Sequence, residues 1–228
     1  MGLWRAARTP APFLTITNRM LVVRWSDGGG RTRTLLFEPS DHELGRNTPY
    51  FAALAAKTPK LLQRVMSTEH AAVPDQLRAA GIDPADVDYR AFDGSVVIGP
   101  GVALLATPGH VLGNQTLVLH TDTGIWASSE NAIATECLTP EHSRIPGVAK
   151  WARTWQQEVI LNANTLETTA QQYNSMVIEK TIVDRAQADP RFLQFFPSSE
   201  LTAHMGNPGT RPTFTHRAIT HHTARHAA

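Results

Sequence analysis

The sequence predicts one α/β or α+β domain, in which helices cover the faces of sheets. Segments rich in β-branched residues and bounded by Gly and Pro alternate along the chain with segments whose apolar residues recur at helical spacing. The length of 228 residues suits one ordinary domain, and a hydrophobic content of 42% suffices for its core. No internal repeat and no low-complexity linker divides the chain, so we expect a single domain over residues 1–219.

The first half of the chain is predicted to form a β-hairpin followed by helices. A strand or hairpin is expected over residues 13–25 and the returning strand over 32–39, because both are rich in Val, Ile, Leu and Thr and a glycine-rich turn separates them. Thr48 is expected to cap a helix that has Pro49 at its first position. A second, shorter helix is expected over residues 69–80.

The second half is predicted to contain two further hairpins, two helices and two strands. The loop 107–114 separates the hairpins, which turn at glycine-containing sequences. In the last long helix the apolar stripe runs through Tyr173 and Val177, so Glu179 is expected on the exposed side. The predicted elements are hairpins within 94–110 and 115–130, helices from 147 and over 165–183, a buried strand over 191–197 and an edge strand over 212–219.

Composition and charge argue against several classes of protein. Lys and Arg number 21 and Asp and Glu number 20, and a net charge of +1 argues against a nucleic-acid-binding protein. No apolar run approaches the roughly 20 residues that span a bilayer, and the N-terminus lacks the apolar core of a signal peptide. The single Cys137 is expected to be a small buried residue, not a nucleophile. We therefore expect a cytoplasmic protein that binds neither nucleic acid nor membrane.

The ten histidines suggest a metal-binding protein. Four of them lie in the last thirteen residues, a short polar stretch typical of a frayed terminus, and a disordered tail is predicted over residues 220–228. The other six are scattered, and none of these belongs to an H-x-H, H-x-x-x-H or H-E-x-x-H pattern. Local spacing therefore identifies no zinc site.

Residues 102–132 contain the most informative pattern in the chain. A predicted strand ends in the sequence T-P-G-H at residues 107–110, a loop follows, and the next hairpin ends in the acidic residue Glu130. This arrangement resembles the metallo-β-lactamase superfamily, in which a T-P-G-H segment offers a metal-binding His and the next hairpin ends in a metal-bridging Asp. The resemblance extends over most of residues 15–200 and implies an αββα sandwich.

The resemblance also implies a chemistry. In this superfamily a metal lowers the pKa of bound water, which then hydrolyses an ester, lactone, amide or phosphoester. A catalytic zinc usually takes three protein ligands and keeps one open position. For this chain the resemblance implies His110 and Glu130 as zinc ligands, Glu200 as the candidate third ligand, and a small molecule as the substrate.

The chain departs from the superfamily pattern at several positions. The H-x-H-x-D-H signature should follow the segment 86–89, but here that segment runs directly into R-A-F-D-G. We therefore expect a sandwich truncated near residues 89–92, with most of the metal ligands lost. Glu130 stands where the superfamily has Asp, and the sequence S-S-E at residues 198–200 stands where it has Gly-His.

Two functions remain open at this level. The first is a metal-dependent hydrolase that uses zinc held by His110, Glu130 and Glu200. The second is a catalytically incompetent homologue of the same fold, without a cofactor, that acts as a binding or interaction module. Loss of a strand and a helix would expose apolar sheet, so either self-association as a homodimer or poor solubility is also expected.

Overall fold

The computed structural model describes residues 3–9, 14–60, 69, 71–162 and 169–216. These residues contain both helices and strands, which confirms the mixed α and β class. They divide into two compact units: unit 1 consists of the residues up to Phe37 and from Phe92 onward, and unit 2 consists of Glu38–Ala91. The predicted tail at 220–228 lies outside the described residues, and a single domain over 1–219 stays a prediction.

Both units are built from short elements. In chain order these are α1 (Leu3–Ala6), β1 (Thr15–Asn18), β2 (Leu21–Ser26), β3 (Thr32–Phe37), α2 (His42–Arg46), α3 (Pro49–Lys57), α4 (Val73–Ala79), β4 (Val96–Gly99), β5 (Val102–Ala106), β6 (Gln115–Thr121), β7 (Gly124–Ser129), α5 (Val148–Trp155), α6 (Thr169–Ile182), β8 (Phe195–Pro197) and β9 (Ser199–Thr202). Single turns of 3₁₀ helix cover Pro84–Asp86, Thr135–Cys137 and Pro140–His142. Helices α2, α3 and α4 belong to unit 2, and the other helices and all the strands belong to unit 1.

A five-stranded sheet forms the centre of unit 1 within the described residues. Its strand order is β4-β5-β6-β7-β8, in which the first four strands are antiparallel and β8 runs parallel to β7. The β6–β7 hairpin turns at Asp122 and Thr123, as the sequence predicts. Because β5, β7 and β8 run in the same direction, their C-terminal ends meet at one edge of the sheet.

Apolar clusters lie on both faces of this sheet. On one face, the β2–β3 ribbon and Phe37 pack against Leu117 and its neighbours. On the other face, Ala127 packs in a cluster that includes Met176 of α6. Successive residues of a strand point to opposite faces, so Leu117 points to the ribbon while the preceding residue, Thr116, points to α6.

Strands β1 and β9 form a separate antiparallel pair. Asn18 lies opposite Ser199, and Thr17 lies opposite Glu200. Since neighbouring residues of a strand point to opposite sides, Ser199 and Glu200 are directed to opposite faces of this pair. The register therefore decides which of the two reaches the sheet edge described above.

The edge strand predicted over residues 212–219 is wrong for its described part, which has no regular structure; its last three residues lie outside that part. Thr213 N–H donates to Glu136 Oε1 at 2.7 Å, and the ring of Phe214 stacks on that of Phe192 with centroids 4.9 Å apart. These side-chain partners replace the neighbouring strand that an edge strand would need.

Unit 2 consists of short helices with little buried apolar surface in its described part. Thr48 occupies the predicted N-cap position of α3, but its hydroxyl donates to Gly45 O at 2.8 Å instead of accepting from the helix. Leu77 of α4 is buried. The segment 89–92, where the sequence predicts a loss of residues, lies at the point where unit 2 ends and unit 1 resumes. None of the helices in the described part of the chain is long and apolar enough to cross a bilayer.

Candidate functional site

The loop 107–114 follows β5 and lies at the edge where β5, β7 and β8 end. Thr107 N–H donates to Asn114 O at 3.1 Å, which closes the loop at its base. His110 lies in this loop, beside Glu130, which directly follows β7. Because β5 and β7 run in the same direction, His110, which follows β5, and Glu130, which follows β7, lie at the same edge of the sheet.

His110 and Glu130 form a hydrogen-bonded pair. His110 Nδ1 lies 2.8 Å from Asn162 Nδ2, an amide nitrogen that also donates to Glu130 O at 2.6 Å. An amide NH₂ group only donates, so Nδ1 is the acceptor and Nε2 carries the imidazole proton. Nε2 lies 3.2 Å from Glu130 Oε2, to which it donates. The side chains of His110 and Glu130 are 17% and 24% exposed, so part of the pair faces solvent.

The second carboxylate oxygen of Glu130 is held by Ser199. Ser199 Oγ lies 2.7 Å from Glu130 Oε1 and 2.8 Å from Asn18 Oδ1. The hydrogen bond from His110, together with that from Ser199, lowers the pKa of Glu130 in spite of its burial. Glu130 is therefore a carboxylate at neutral pH.

Glu200 does not join this pair. Its side chain points to the face of the β1–β9 pair opposite to that of Ser199, and there Arg19 Nη2 donates to Glu200 Oε2. The Arg19 guanidinium also lies over the ring of Phe196, 4.9 Å from its centroid. The structure thus brings two of the three expected zinc ligands together and leaves the third apart.

Glu179 is buried, so the prediction that it lies on the exposed side of its helix is wrong. Its Oε1 accepts hydrogen bonds from Thr116 Oγ1 at 2.6 Å, Ser129 Oγ at 2.8 Å and Asn131 Nδ2 at 2.8 Å. Burial raises the pKa of this carboxyl. Helical periodicity predicts that the apolar face of a helix points to the core. Glu179 is nevertheless buried, because hydroxyl and amide groups at the strand ends supply its carboxyl with hydrogen-bond partners.

The sequence pattern does not identify three further members of the site. Asn131 directly follows Glu130, and Ser199 directly precedes Glu200, so proximity to the candidate ligands was an available signal for both. Asn162 has no such signal, because 52 residues separate it from His110 and its local sequence indicates only a helix end.

Gly109 in the T-P-G-H sequence allows the loop to pack closely against α6. A Cβ atom at this position would lie 2.5 Å from Asn131 Oδ1 and 2.7 Å from Gln172 Cα. Asn131 Oδ1 in turn accepts the backbone N–H of His110 at 3.0 Å. The glycine therefore contributes to the site by leaving room for the side chain that holds His110.

The described residues supply two converging metal ligands, not three. His110 Nε2 and Glu130 Oε2 lie 3.2 Å apart. An imidazole nitrogen and a carboxylate oxygen are both ordinary ligands of zinc. In the described part of the chain, no group of three His, Cys, Asp or Glu side chains is placed to hold a metal. A catalytic zinc usually takes three protein ligands, so these residues do not fit such a centre.

Cys137 is not placed to act as a nucleophile. It is fully buried, and this burial raises the pKa of its thiol. The thiolate is the reactive form of cysteine, so a buried neutral thiol is inert. Cys137 packs in the apolar cluster on the α6 side of the sheet, as expected for a small buried residue.

No family model matches this chain, and no similar protein is found among curated proteins or solved structures. Its function is therefore inferred from the arrangement of its own residues.

Proposed function

We propose that this chain is a catalytically incompetent protein of the metallo-β-lactamase type, with an αββα sandwich, which works in the cytoplasm as a binding module for a small molecule. Two features support this fold. The β2–β3 ribbon and α6 cover opposite faces of the five-stranded sheet. The T-P-G-H loop and Glu130 follow two strands that run in the same direction.

The hydrogen bonding of the His110–Glu130 pair is the observation that carries the functional part. A histidine binds a metal through a nitrogen lone pair. Here the Nδ1 lone pair accepts from Asn162, and Nε2 carries a proton that it donates to Glu130. The remaining carboxylate oxygen accepts from Ser199. This arrangement supports a preorganised hydrogen-bonding group in preference to a set of metal ligands.

The surroundings of the pair indicate the kind of ligand. Glu130 is ionised and partly exposed, so it can accept hydrogen bonds from a bound molecule. Val111 and Leu112, which follow His110 in the loop, are 55% and 73% exposed. A partly exposed carboxylate is paired here with a histidine that exposed apolar residues follow in the chain. This combination suits a small molecule that has both hydrogen-bond donors and an apolar part.

Metal analysis of the purified protein tests this proposal. The protein is produced without a purification tag and with His221, His222 and His226 replaced by Ala, because a His-rich tail binds metal adventitiously. We expect substoichiometric zinc and no change in thermal unfolding when zinc is added. Stoichiometric zinc that is lost in His110→Ala and kept in His120→Ala would overturn the proposal, since His120 is exposed on β6, outside the site.

A metal-dependent hydrolase is the second candidate, and the 3.2 Å separation of His110 Nε2 and Glu130 Oε2 favours it. Such an enzyme would use zinc as its cofactor and cleave an ester, lactone, amide or phosphoester. Hydrolysis of p-nitrophenyl acetate and of bis(p-nitrophenyl) phosphate is measured with and without added zinc. Zinc-dependent activity that is lost in His110→Ala and Glu130→Gln, and kept in His120→Ala, would support this candidate and contradict the first.

Self-association as a homodimer is a further part of the proposal. Strand β4 lies at an edge of the described sheet, and its residue Val97 is 77% exposed. An edge strand with an exposed apolar side chain is open to pairing with another chain. Light scattering after gel filtration is expected to give the mass of a dimer, and Val97→Lys is expected to reduce it. A monomeric mass at every concentration would contradict this part.

A further inference from the structure

A buried hydrogen-bond network lies directly beneath the loop that carries His110. Its centre is Glu179 Oε1, which accepts from Thr116 on β6, from Ser129 at the end of β7 and from Asn131 just beyond it. Within the described residues, the other carboxyl oxygen of Glu179 has no hydrogen-bond partner. A single side-chain oxygen on α6 therefore accepts hydrogen bonds from three residues at the strand ends.

Asn131 connects this oxygen to His110. Its amide nitrogen donates to Glu179 Oε1 at 2.8 Å and to Thr107 O at 3.2 Å. With both amide hydrogens used, the side chain has a single orientation. In that orientation Asn131 Oδ1 accepts the backbone N–H of His110 at 3.0 Å. The backbone of His110 is thus fixed by a side chain that Glu179 orients.

A second route connects Glu179 to the base of the same loop. Asn114 Nδ2 donates to Thr107 Oγ1 at 3.1 Å, and Thr107 Oγ1 lies 2.6 Å from Thr116 Oγ1. Because the single hydroxyl proton of Thr116 is donated to Glu179, Thr107 is the donor to Thr116. Thr116 then donates to Glu179 Oε1 at 2.6 Å. Thr107 and Asn114 are the two ends of the loop, and both are therefore tied to the same carboxyl oxygen.

We propose that Glu179 and Asn131 are positioning residues for the His110–Glu130 pair. They hold the loop so that the His110 ring lies between Asn162 and Glu130, and this placement selects the tautomer protonated on Nε2. Glu179 is fully buried and acts on the ring through Asn131, so it is not a catalytic residue. The inference rests on the proposed function in one respect, which is that the His110–Glu130 pair is the functional site.

Imidazole ¹⁵N chemical shifts of His110 test the inference, because they report the tautomer and require neither ligand nor activity. The full-length protein is labelled with ¹⁵N-histidine, and the His110 signals are identified by their absence in His110→Gln. The wild-type protein is expected to show the pattern of a ring protonated on Nε2. Asn131→Ala and Glu179→Leu are expected to lose this pattern and to show shifts averaged between the two tautomers. Glu179→Gln keeps an oxygen acceptor and is expected to retain the pattern.

Met176→Ala is the matched control. Met176 is fully buried on the same helix and packs in the apolar cluster, so its truncation lowers stability without removing a bond of the network. The inference is overturned if Asn131→Ala keeps the wild-type pattern, if Glu179→Gln loses it, or if Met176→Ala loses it equally. Should Glu179→Leu fail to fold, Asn131→Ala decides. If the wild-type protein binds no small molecule, but Asn131→Ala and Glu179→Leu still lose the Nε2-protonated pattern of His110, the proposed function is contradicted and this inference is supported.

Discussion

Gly109→Ala places one methyl group where the loop 107–114 lies against α6. The new Cβ would lie 2.5 Å from Asn131 Oδ1, 2.7 Å from Gln172 Cα and 2.8 Å from Gln172 Cβ. Two of these three atoms belong to the backbone of α6 or are bonded directly to it. A flexible side chain therefore cannot relieve the contact by rotating, and either the loop or α6 has to shift.

The expected loss of stability has two parts. Overpacking of this kind typically costs about 1–3 kcal/mol in the free energy of unfolding. Displacement of Asn131 also breaks its hydrogen bond with the His110 N–H, which contributes about 1 kcal/mol. The sum is about 3 kcal/mol, which in a chain of this size lowers the Tm by about 6–12 °C.

Urea denaturation followed by tryptophan fluorescence measures this loss. The matched control is Gly113→Ala in the same loop, where an added Cβ would have no atom within 4 Å. The control is expected to change the free energy of unfolding by less than about 0.5 kcal/mol. If Gly109→Ala is as stable as Gly113→Ala, the close approach of the loop to α6 is refuted.

Three further outcomes are expected. Ser199→Ala removes a hydrogen bond to the Glu130 carboxylate and should lower the free energy of unfolding by about 2 kcal/mol, measured by urea denaturation; an unchanged midpoint would contradict this bond. Contact with His110 lowers the pKa of Glu130 in the folded protein. The ionised carboxylate therefore stabilises the fold above the unfolded pKa of about 4.3, and this stabilisation is lost as the pH falls through the lower folded pKa. Glu130→Gln should accordingly lose less stability than the wild type between about pH 5 and pH 3, as measured by urea denaturation. Parallel stability curves for the two proteins would argue against the pair. Burial raises the pKa of the Cys137 thiol, so a thiol-reactive dye should label the protein only after denaturation, and rapid labelling of the native protein would be inconsistent with this burial.

Elements that depend on neighbouring residues are predicted well from the sequence. The β6–β7 hairpin turns where Asp122 and Thr123 are followed by a glycine, and α6 over 169–182 lies within the predicted 165–183. Turn residues and helical periodicity act over a few positions, so the local sequence contains their signal. The edge strand over 212–219 fails because Thr213 binds Glu136, 77 residues away.

The candidate site is predictable only in part. The T-P-G-H loop and the acidic end of the next hairpin identify His110 and Glu130, and the structure places them 3.2 Å apart. Glu200 is directed elsewhere because the β1–β9 register turns Ser199 to Glu130 and Glu200 to Arg19. A shift of one residue reverses the face of a strand residue, and the sequence near residue 200 does not contain the register.

The sequence by itself determines the class of fold, most of the strands and helices, and the loop that presents His110. Only the tertiary structure decides that Ser199 holds Glu130 and that Glu179 is buried beneath the loop. Both arrangements depend on hydrogen-bond partners that are distant along the chain. Ser199 and Glu130 are 69 residues apart, and Glu179 and Asn131 are 48 residues apart. Hydrophobic periodicity in the sequence predicts which faces of the helices and strands are buried. A polar group, however, is buried only where the folded chain supplies its hydrogen-bond partners.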